Sequence, residues 1–144
     1  MNFKFLLISF GLLLVLQITY GKKFDECSLA KELYRLGVPK SQLSDWICLA
    51  KYESQFETST VGKKNSNGTR DWGIFQINDR WWCKNSNGDR SYNQCKLSCD
   101  ELLTDDITKA VKCAKLIKKQ QGFKAWVAWN RRCQGSKPNI SKCF

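Results

Sequence analysis

The sequence DWGIFQINDRWWC, residues 71–83, is the stretch around which the rest of the chain is organised. An acid, Asp71, stands in front of an alternating pattern that predicts a short strand over residues 72–77. The amide side chains of Gln76 and Asn78 follow two positions apart, and a pair of tryptophans and a cysteine end the stretch. A carboxylate, amides and aromatic rings are the groups that bind sugars, so the stretch predicts a sugar-binding cleft.

A second acid, Glu53, lies upstream in the segment AKYES, residues 50–54. The pattern before it predicts a helix that begins near Ser44 or Asp45, both of which are favourable N-cap residues. Glu53 would then lie near the C-terminal end of this helix. The negative end of the helix dipole disfavours a further negative charge, so we expect the pKa of Glu53 to be raised.

The length and composition of the chain predict one domain with one hydrophobic core, because 144 residues of which 42% are apolar suit a single domain. Residues 1–21 combine Lys4 with an apolar run over residues 5–16, which is typical of a secretory signal peptide cut after Gly21. The run is shorter than the roughly 20 residues that span a membrane, which disfavours an anchor. We therefore expect a secreted, extracellular protein with a single domain over residues 22–144.

The cysteine content agrees with secretion. All eight cysteines follow the expected cut, and their even number predicts four disulfides formed in an oxidising compartment. The chain has no histidine and no CxxC pair, which argues against a metal site and against Ser–His or Cys–His catalysis. We expect no metal and no cofactor. If the protein is an enzyme, carboxylates, lysines or tyrosines must handle its protons.

The chain is strongly basic, with a formal net charge of +11. A surface of this kind attracts polyanions in a salt-dependent way, and nucleic acid, anionic lipid and bacterial wall polymers all qualify. Composition does not choose among them, and plain solubility is the simplest alternative. Our working expectation is electrostatic attraction to anionic wall polymers or membranes, no specific nucleic-acid site, and a monomer.

Hydrophobic spacing and cap residues predict the remaining elements. A first helix is predicted over residues 24–36, with Gly37 just past its end. A third helix is predicted to open at residues 104–106, where a hydroxyl and two acids suit a helix start, and a last helical segment to begin at Ala125. Residues 84–98 have little apolar content, so this loop must be held by its cysteines.

The chain resembles the c-type lysozymes. The resemblance rests on the cysteine spacing, the segment AKYES, the run DWGIFQIN followed by WWC, and AWVAW at residues 125–129, and it covers all of residues 22–144. It implies an α+β fold in which a mainly helical lobe and a small antiparallel β lobe flank the active-site cleft. It also implies a retaining glycosidase that cleaves the β-1,4 bond between N-acetylmuramic acid and N-acetylglucosamine in bacterial peptidoglycan, for antibacterial defence or for digestion of bacteria.

The resemblance also implies roles for single residues. Glu53 matches the general acid, and Asp71 matches the nucleophile or electrostatic stabiliser. Apolar neighbours of Glu53 favour its protonated form, whereas the polar neighbours of Asp71 favour its anion. Glycoside hydrolysis needs both, a proton for the leaving oxygen and a negative charge beside the oxocarbenium-like state. The residues that match the family's sugar-binding amides and aromatic walls are Asn65, Gln76, Asn78, Trp81, Trp82 and Trp126.

The family pattern further implies which cysteines pair, a choice that eight cysteines alone leave open among 105 arrangements. Tryptophan at position 72 departs from the tyrosine common in the family, and we expect Trp72 and Trp129 to lie in the core. Gly73 is expected to permit close backbone packing. The implied disulfides are Cys27–Cys143, Cys48–Cys133, Cys83–Cys99 and Cys95–Cys113.

Two non-enzymatic functions compete with this interpretation. An alpha-lactalbumin-like binding protein would share the fold and cysteine pattern, but such proteins usually lack the pair of acids found here. A cationic, membrane-active defence protein would kill through its basic surface without hydrolysis. The sequence also contains two N-glycosylation acceptor motifs, at Asn67 and Asn139. We expect Asn67 to be largely unmodified, since a glycan there would hang beside the cleft, and leave Asn139 open.

Overall fold

The computed structural model describes residues 21–144, so the predicted signal peptide lies outside the described residues except for Gly21. The architecture is α+β, as predicted, with a helical lobe and a small two-stranded antiparallel sheet. No helix within the described range is long and apolar enough to cross a membrane. The elements, in chain order, are α1 Glu26–Arg35, α2 Lys40–Ser54, β1 Asp71–Trp72, β2 Ile77–Asn78, α3 Thr108–Gln121 and α4 Val127–Arg132, with short 3-10 helices at Cys99–Leu102, Phe123–Ala125 and Ser141–Cys143.

The core is built around Trp46 on α2, whose side chain is 2% exposed. Its ring makes edge-to-face contacts with three aromatic rings, at centroid distances of 5.3 Å to Phe75, 5.0 Å to Phe123 and 5.9 Å to Trp126. Each such pair adds about 0.5–1.5 kcal/mol beyond simple burial. Because Phe75 belongs to the turn between the strands, the cluster joins the helical lobe to the sheet.

Helix α1 is close to its predicted range but shorter at both ends. It begins after Asp25, whose carboxylate accepts from the Ser28 backbone N–H at 2.8 Å, while the Ser28 hydroxyl oxygen accepts from the Asp25 N–H. This reciprocal pair is a capping box, which satisfies two backbone donors that would otherwise have no partner. The capping residues therefore set the start of α1 two residues later than hydrophobic spacing predicted.

The predicted start of α2 near Ser44 or Asp45 is wrong. The helix begins at Lys40, directly after Pro39, whose fixed φ suits the entry to a helix. The carboxylate of Asp45 makes tertiary contacts instead of capping, since it accepts from Trp129 Nε1 at 2.9 Å and pairs with Lys137. Asp45 is of a residue type that favours helix N-caps, but here its carboxylate binds the C-terminal part of the chain.

The predicted starts of the last two helices are also displaced. Helix α3 begins at Thr108 rather than at residues 104–106, because the carboxylate of Asp106 accepts from both the backbone N–H and the hydroxyl of Thr108. Helix α4 begins at Val127, and the residues up to Ala125 form a separate 3-10 turn. Residues 104–107 are therefore irregular, and Ala125 ends a 3-10 turn instead of starting an α-helix.

The continuous strand predicted over residues 72–77 is wrong as well. The chain makes two strands of two residues, paired Asp71 to Asn78 and Trp72 to Ile77, with a tight turn between them. Gly73 opens this turn with a φ of +75°, in the region that favours glycine. A Cβ on Gly73 would lie 2.3 Å from the carbonyl oxygen of Leu102, which confirms that this glycine permits close backbone packing.

Four disulfides close the described chain, and they join the cysteines that the family pattern implies. One ties the C-terminal segment to α1, one ties α2 to the residue after α4, and two hold the loop over residues 84–98. By restricting the unfolded chain, each contributes roughly 2–4 kcal/mol. The bonds are Cys27–Cys143, Cys48–Cys133, Cys83–Cys99 and Cys95–Cys113.

The close approach at Gly73 predicts a large difference between two alanine substitutions. Gly73→Ala should lower the free energy of unfolding by about 3 kcal/mol or more, since it adds a backbone clash to the strain of a positive φ. Gly88→Ala is the matched control, because Gly88 has a φ of +83° but no atom within 4 Å of an added Cβ. It should cost only about 1–2 kcal/mol. Urea unfolding of the two variants measures the difference, and equal losses would contradict the close approach.

Candidate active site

A cleft of about 360 Å³ lies between the helical lobe and the sheet. Both candidate catalytic acids, Glu53 and Asp71, line it. The helical side contributes apolar and amide groups, and the sheet side contributes mostly hydroxyl and amide groups. The remaining lining residues are Asn65, Ser66, Asn67, Thr69, Gln76, Ile77, Asn78, Trp82, Ile117, Gln121, Ala125, Trp126 and Val127.

Glu53 is held at the end of α2, one residue before the helix terminates. Its neighbour Ser54 is buried, and the Ser54 hydroxyl donates to the carbonyl oxygen of Ile74 at 2.8 Å. This bond fastens the last turn of α2 to the turn between the strands. The backbone that carries Glu53 is therefore fixed relative to the sheet that carries Asp71.

The half-buried position of Glu53 raises the pKa of its carboxyl from 4.5 to about 7. Burial is the largest cause, since it penalises the charged form, and the negative charge of Asp71 is the second. A backbone N–H from Ala128, in the first turn of α4, acts in the opposite direction. Glu53 therefore keeps its proton at mildly acidic pH, and burial among apolar neighbours, one of the two causes predicted from the sequence, is the largest.

Asp71 has a different environment, in which amide groups hold both carboxylate oxygens. Asn78 Nδ2 donates to Oδ1 at 2.9 Å, and Asn65 Nδ2 donates to Oδ2 at 3.1 Å. Both amides also donate to the Thr69 hydroxyl oxygen at 3.0 Å, and that hydroxyl donates to Asn67 Oδ1 at 2.7 Å. Hydrogen bonds to a carboxylate stabilise its negative charge and fix its orientation.

The three amides predicted to bind sugar all line the cleft, but their N–H groups already have protein partners. Asn65 and Asn78 donate to Asp71 and Thr69, and Gln76 Nε2 donates to the carbonyl oxygens of Thr60 and Gly73. The structure thus adds a role that sequence reasoning missed, which is to orient Asp71 and the turn beside it. Their predicted contact with sugar stays a prediction.

The predicted aromatic walls divide into two groups. Trp82 and Trp126 line the cleft but are each only 5% exposed, and Trp126 Nε1 donates to the carbonyl oxygen of Phe75 at 2.8 Å. Trp81 is 47% exposed and lies outside the cleft lining, where it stacks on Tyr92 with ring centroids 4.9 Å apart and planes 5° from parallel. Sequence reasoning did not single out Tyr92, because nothing in its local pattern marks it.

Several further lining residues carried no signal in the sequence. Ile117 and Gln121 on α3 and Val127 on α4 reach the cleft only because the helices pack as they do. Thr69 is buried at the centre of the amide network, where its hydroxyl oxygen accepts from the Asn65 and Asn78 amides that also bind Asp71. Its motif in the sequence indicated a glycosylation acceptor and not this role. Tertiary packing, not local pattern, assembles this part of the site.

In the part of the chain that the structure describes, residues 21–144, no group of three or more His, Cys, Asp or Glu side chains is placed to hold a metal ion, near the cleft or elsewhere. The acidic segment before α3 uses its side chains locally, because Glu101 pairs with Lys109 and accepts from the Ser98 N–H.

Comparison with known proteins gives a consistent result. A sequence model described as the C-type lysozyme/alpha-lactalbumin family matches residues 22–143. Lysozyme 1 of Musca domestica and Lysozyme P of Drosophila melanogaster are each 52% identical to this chain over 141 residues, which is 98% of this chain and 99% of each relative.

Solved structures agree with the sequence relatives. The crystal structure of lysozyme from Equus asinus superposes with a TM-score of 0.76 at 38% identity, and that of recombinant canine milk lysozyme with a TM-score of 0.75 at 41% identity. Each alignment covers 84% of this chain and 95% of the solved chain. This chain therefore belongs to the C-type lysozyme/alpha-lactalbumin family and is an enzyme with lysozyme activity.

Proposed function

We propose that the protein hydrolyses the β-1,4 bond between N-acetylmuramic acid and N-acetylglucosamine in bacterial peptidoglycan, with Glu53 as general acid and Asp71 as nucleophile or electrostatic stabiliser. The observation that carries the proposal is the contrast between the two acids of one cleft. Burial raises the pKa of Glu53 to about 7, whereas two amide N–H groups bind the carboxylate of Asp71. Glycosidases need this division between a proton donor and an anion.

In the first step the protonated Glu53 carboxyl donates its proton to the glycosidic oxygen as the bond to the leaving sugar breaks. Positive charge develops on the ring carbon that remains, and the Asp71 carboxylate stabilises it or forms a covalent bond to it. Water then attacks this carbon, and the Glu53 carboxylate accepts the proton of that water. Two displacements at one carbon retain its configuration, as expected of a retaining enzyme.

The amides around Asp71 support this mechanism because they fix the direction of its carboxylate before substrate arrives. Preorganised dipoles cost no reorganisation during the reaction, which is a large part of electrostatic catalysis. Trp82 and Trp126 have their rings at the cleft wall, where an aromatic face can pack against the C–H face of a sugar. We propose these two rings as sugar-binding walls and assign Trp81 an outer position.

We further propose that the protein is secreted, acts as a monomer and is attracted to anionic wall polymers. Four disulfides support secretion, since they persist in oxidising compartments. The formal net charge is +11, or +10 once the expected cut removes Lys4, and it supports the attraction. The exposed lysines of α3 give it a location, since Lys112, Lys115 and Lys119 lie on the surface of this helix. Binding to walls should weaken as salt is added.

Glu53→Gln should abolish most hydrolysis, because glutamine keeps the shape of the side chain but has no acidic proton. General acid catalysis contributes on the order of 10²–10⁴-fold, so we expect a loss of that size. The loss is measured as the initial rate at which the purified variant clears a suspension of bacterial walls. Binding is measured separately, as the amount of enzyme that sediments with intact walls.

Wall binding is the internal control for that experiment, since the basic surface is untouched and binding should match the parent. A folded Glu53→Gln protein that clears walls at the parental rate would refute the assignment of Glu53. It would also favour the cationic, non-hydrolytic alternative as the cause of clearing.

Glu53→Gln should also stabilise the protein at neutral pH. In the folded protein the pKa of Glu53 is about 7, above its ordinary value of 4.5, so the folded state binds more protons than the unfolded state between these values. Stability is therefore lost as pH rises from 4.5 to 7, by up to about 3 kcal/mol. Glutamine does not titrate, so the variant escapes this loss.

Urea unfolding of parent and variant across pH measures the effect. The two free energies of unfolding should be similar below pH 4.5, diverge in favour of the variant between pH 4.5 and 7, and stay parallel above pH 7. If the difference between the two free energies of unfolding were constant from below pH 4.5 to above pH 7, the pKa of Glu53 would not be raised by burial.

A further inference from the structure

Asp79, the residue directly after β2, is a buried acid that the proposed reaction does not use. Its side chain is 6% exposed, and both of its carboxylate oxygens accept hydrogen bonds. Oδ1 accepts from the backbone N–H of Arg70 at 3.1 Å. Oδ2 accepts from Trp72 Nε1 at 3.2 Å and from Asn85 Nδ2 at 2.8 Å. The backbone N–H of Asp79 also donates to the carbonyl oxygen of Arg70 at 3.0 Å.

Burial makes this arrangement unusual. Within residues 21–144, Asp79 is the one charged side chain among the buried polar residues, which also include Ser54, Thr58, Thr69 and Asn85. A buried carboxylate is costly unless donors surround it, and three donors do so here. The bonds offset the cost of burial but do not explain why an acid, rather than an apolar residue, stands at this position.

The placement of those donors points to a role. Arg70 and Trp72 are the residues on either side of Asp71, and Asp79 holds the backbone of the first and the ring of the second. The neighbouring residue Asn78 pairs with Asp71 in the sheet and donates to its carboxylate. Asn78 therefore contacts the Asp71 side chain itself, while Asp79 fixes the chain before and after it.

The indole of Trp72 takes part in this arrangement. This tryptophan stands where tyrosine is common in the family, and it was expected to lie in the core. The ring is only partly buried, and its N–H supplies a donor to Asp79. Asn85 extends the contact into the loop over residues 84–98, because its side-chain oxygen accepts from the Asn87 N–H at 2.9 Å.

We propose that Asp79 is a positioning residue for Asp71, because its buried carboxylate clamps the residues on both sides of Asp71 and so fixes the direction in which the Asp71 carboxylate enters the cleft. The proposal rests on the catalytic role proposed for Asp71. Asp79 itself touches no reacting atom in this scheme. An amide at position 79 would turn an N–H₂ group toward at least one of the three donors, so the clamp requires the carboxylate.

The test compares Asp79→Asn with the parent, using soluble oligosaccharides released from bacterial walls as substrate. If Asp79 positions Asp71, kcat should fall about 10-fold to 100-fold, the range expected when a reacting group is displaced by up to 1 Å. KM should stay within about twofold, because no sugar contact is removed. Asp89→Asn is the matched control, since it removes an exposed carboxylate from the same lobe, and its kcat should equal that of the parent.

A double-variant cycle separates positioning from general damage. In an Asp71→Asn background, Asp79→Asn should change kcat by less than about twofold, because no carboxylate remains to be positioned. A loss as large in that background as in the parent would overturn the proposal, as would a folded Asp79→Asn protein with parental kcat. If Asp71→Asn alone keeps the kcat of the parent, the catalytic role proposed for Asp71 is wrong. The single variant Asp71→Asn tests that role without any change at Asp79.

A second variant covers the case in which Asp79→Asn does not fold. Trp72→Phe keeps an aromatic side chain but removes the N–H that binds Asp79 Oδ2, together with part of the indole ring system. We expect kcat to fall several-fold with KM little changed, and the loss to disappear in the Asp71→Asn background. A folded Trp72→Phe protein with parental kcat would then overturn the proposal.

Discussion

The turn between the two short strands is the constraint on which the geometry of the cleft depends. Its carbonyl oxygens at Ile74 and Phe75 are bound from the helical lobe, the first by the Ser54 hydroxyl and the second by Trp126 Nε1, both at 2.8 Å. Because Ser54 follows Glu53 directly, the bond from the Ser54 hydroxyl fixes the backbone that carries Glu53. Buried hydrogen bonds of this kind are costly to break, so the two lobes are held at a defined separation.

The same turn explains how one cleft holds two acids in different environments. The helical lobe presents Glu53 from a half-buried helix end, and burial raises the pKa of its carboxyl. The sheet presents Asp71 among hydrogen-bond donors. The carboxylate of Asp79 binds the backbone N–H of Arg70, the residue before Asp71. Neither lobe alone could provide both environments, since an apolar wall favours a neutral acid and a polar network favours an anion. The contrast between the acids is therefore a property of the interface between the lobes.

Sequence reasoning identified features that depend on residue type and spacing. The placement of both acids at one cleft and the close approach at Gly73 are of this kind. The pairing of the cysteines came from the family resemblance, because spacing alone leaves it open. Sequence reasoning failed where tertiary contacts overrule local preference. Asp45 has the side chain of a helix cap but binds Trp129 and Lys137, and residues 72–77 alternate like a strand but fold into a turn.

The amide network shows the same limit in the site itself. Asn65 and Asn78 were predicted to reach the cleft and do so, but their partners, Asp71 and Thr69, could not be identified from spacing alone. The clamp formed by Asp79 was equally hidden, since an acid that follows a strand is most often a solvated surface residue. Its burial arises from tertiary contacts, which include the hydrogen bond from Asn85 in the loop over residues 84–98.

The most direct test of this account is the pKa of Glu53, measured by carbon-13 NMR titration of its side-chain carboxyl in the parent and in Asp71→Asn. The account predicts a pKa of about 7 in the parent. In the variant the pKa should be lower, because the charge of Asp71 is gone, yet stay above 4.5, because burial remains. A parental pKa near 4.5 would contradict the account, since Glu53 would then be ionised at the pH where it must donate a proton.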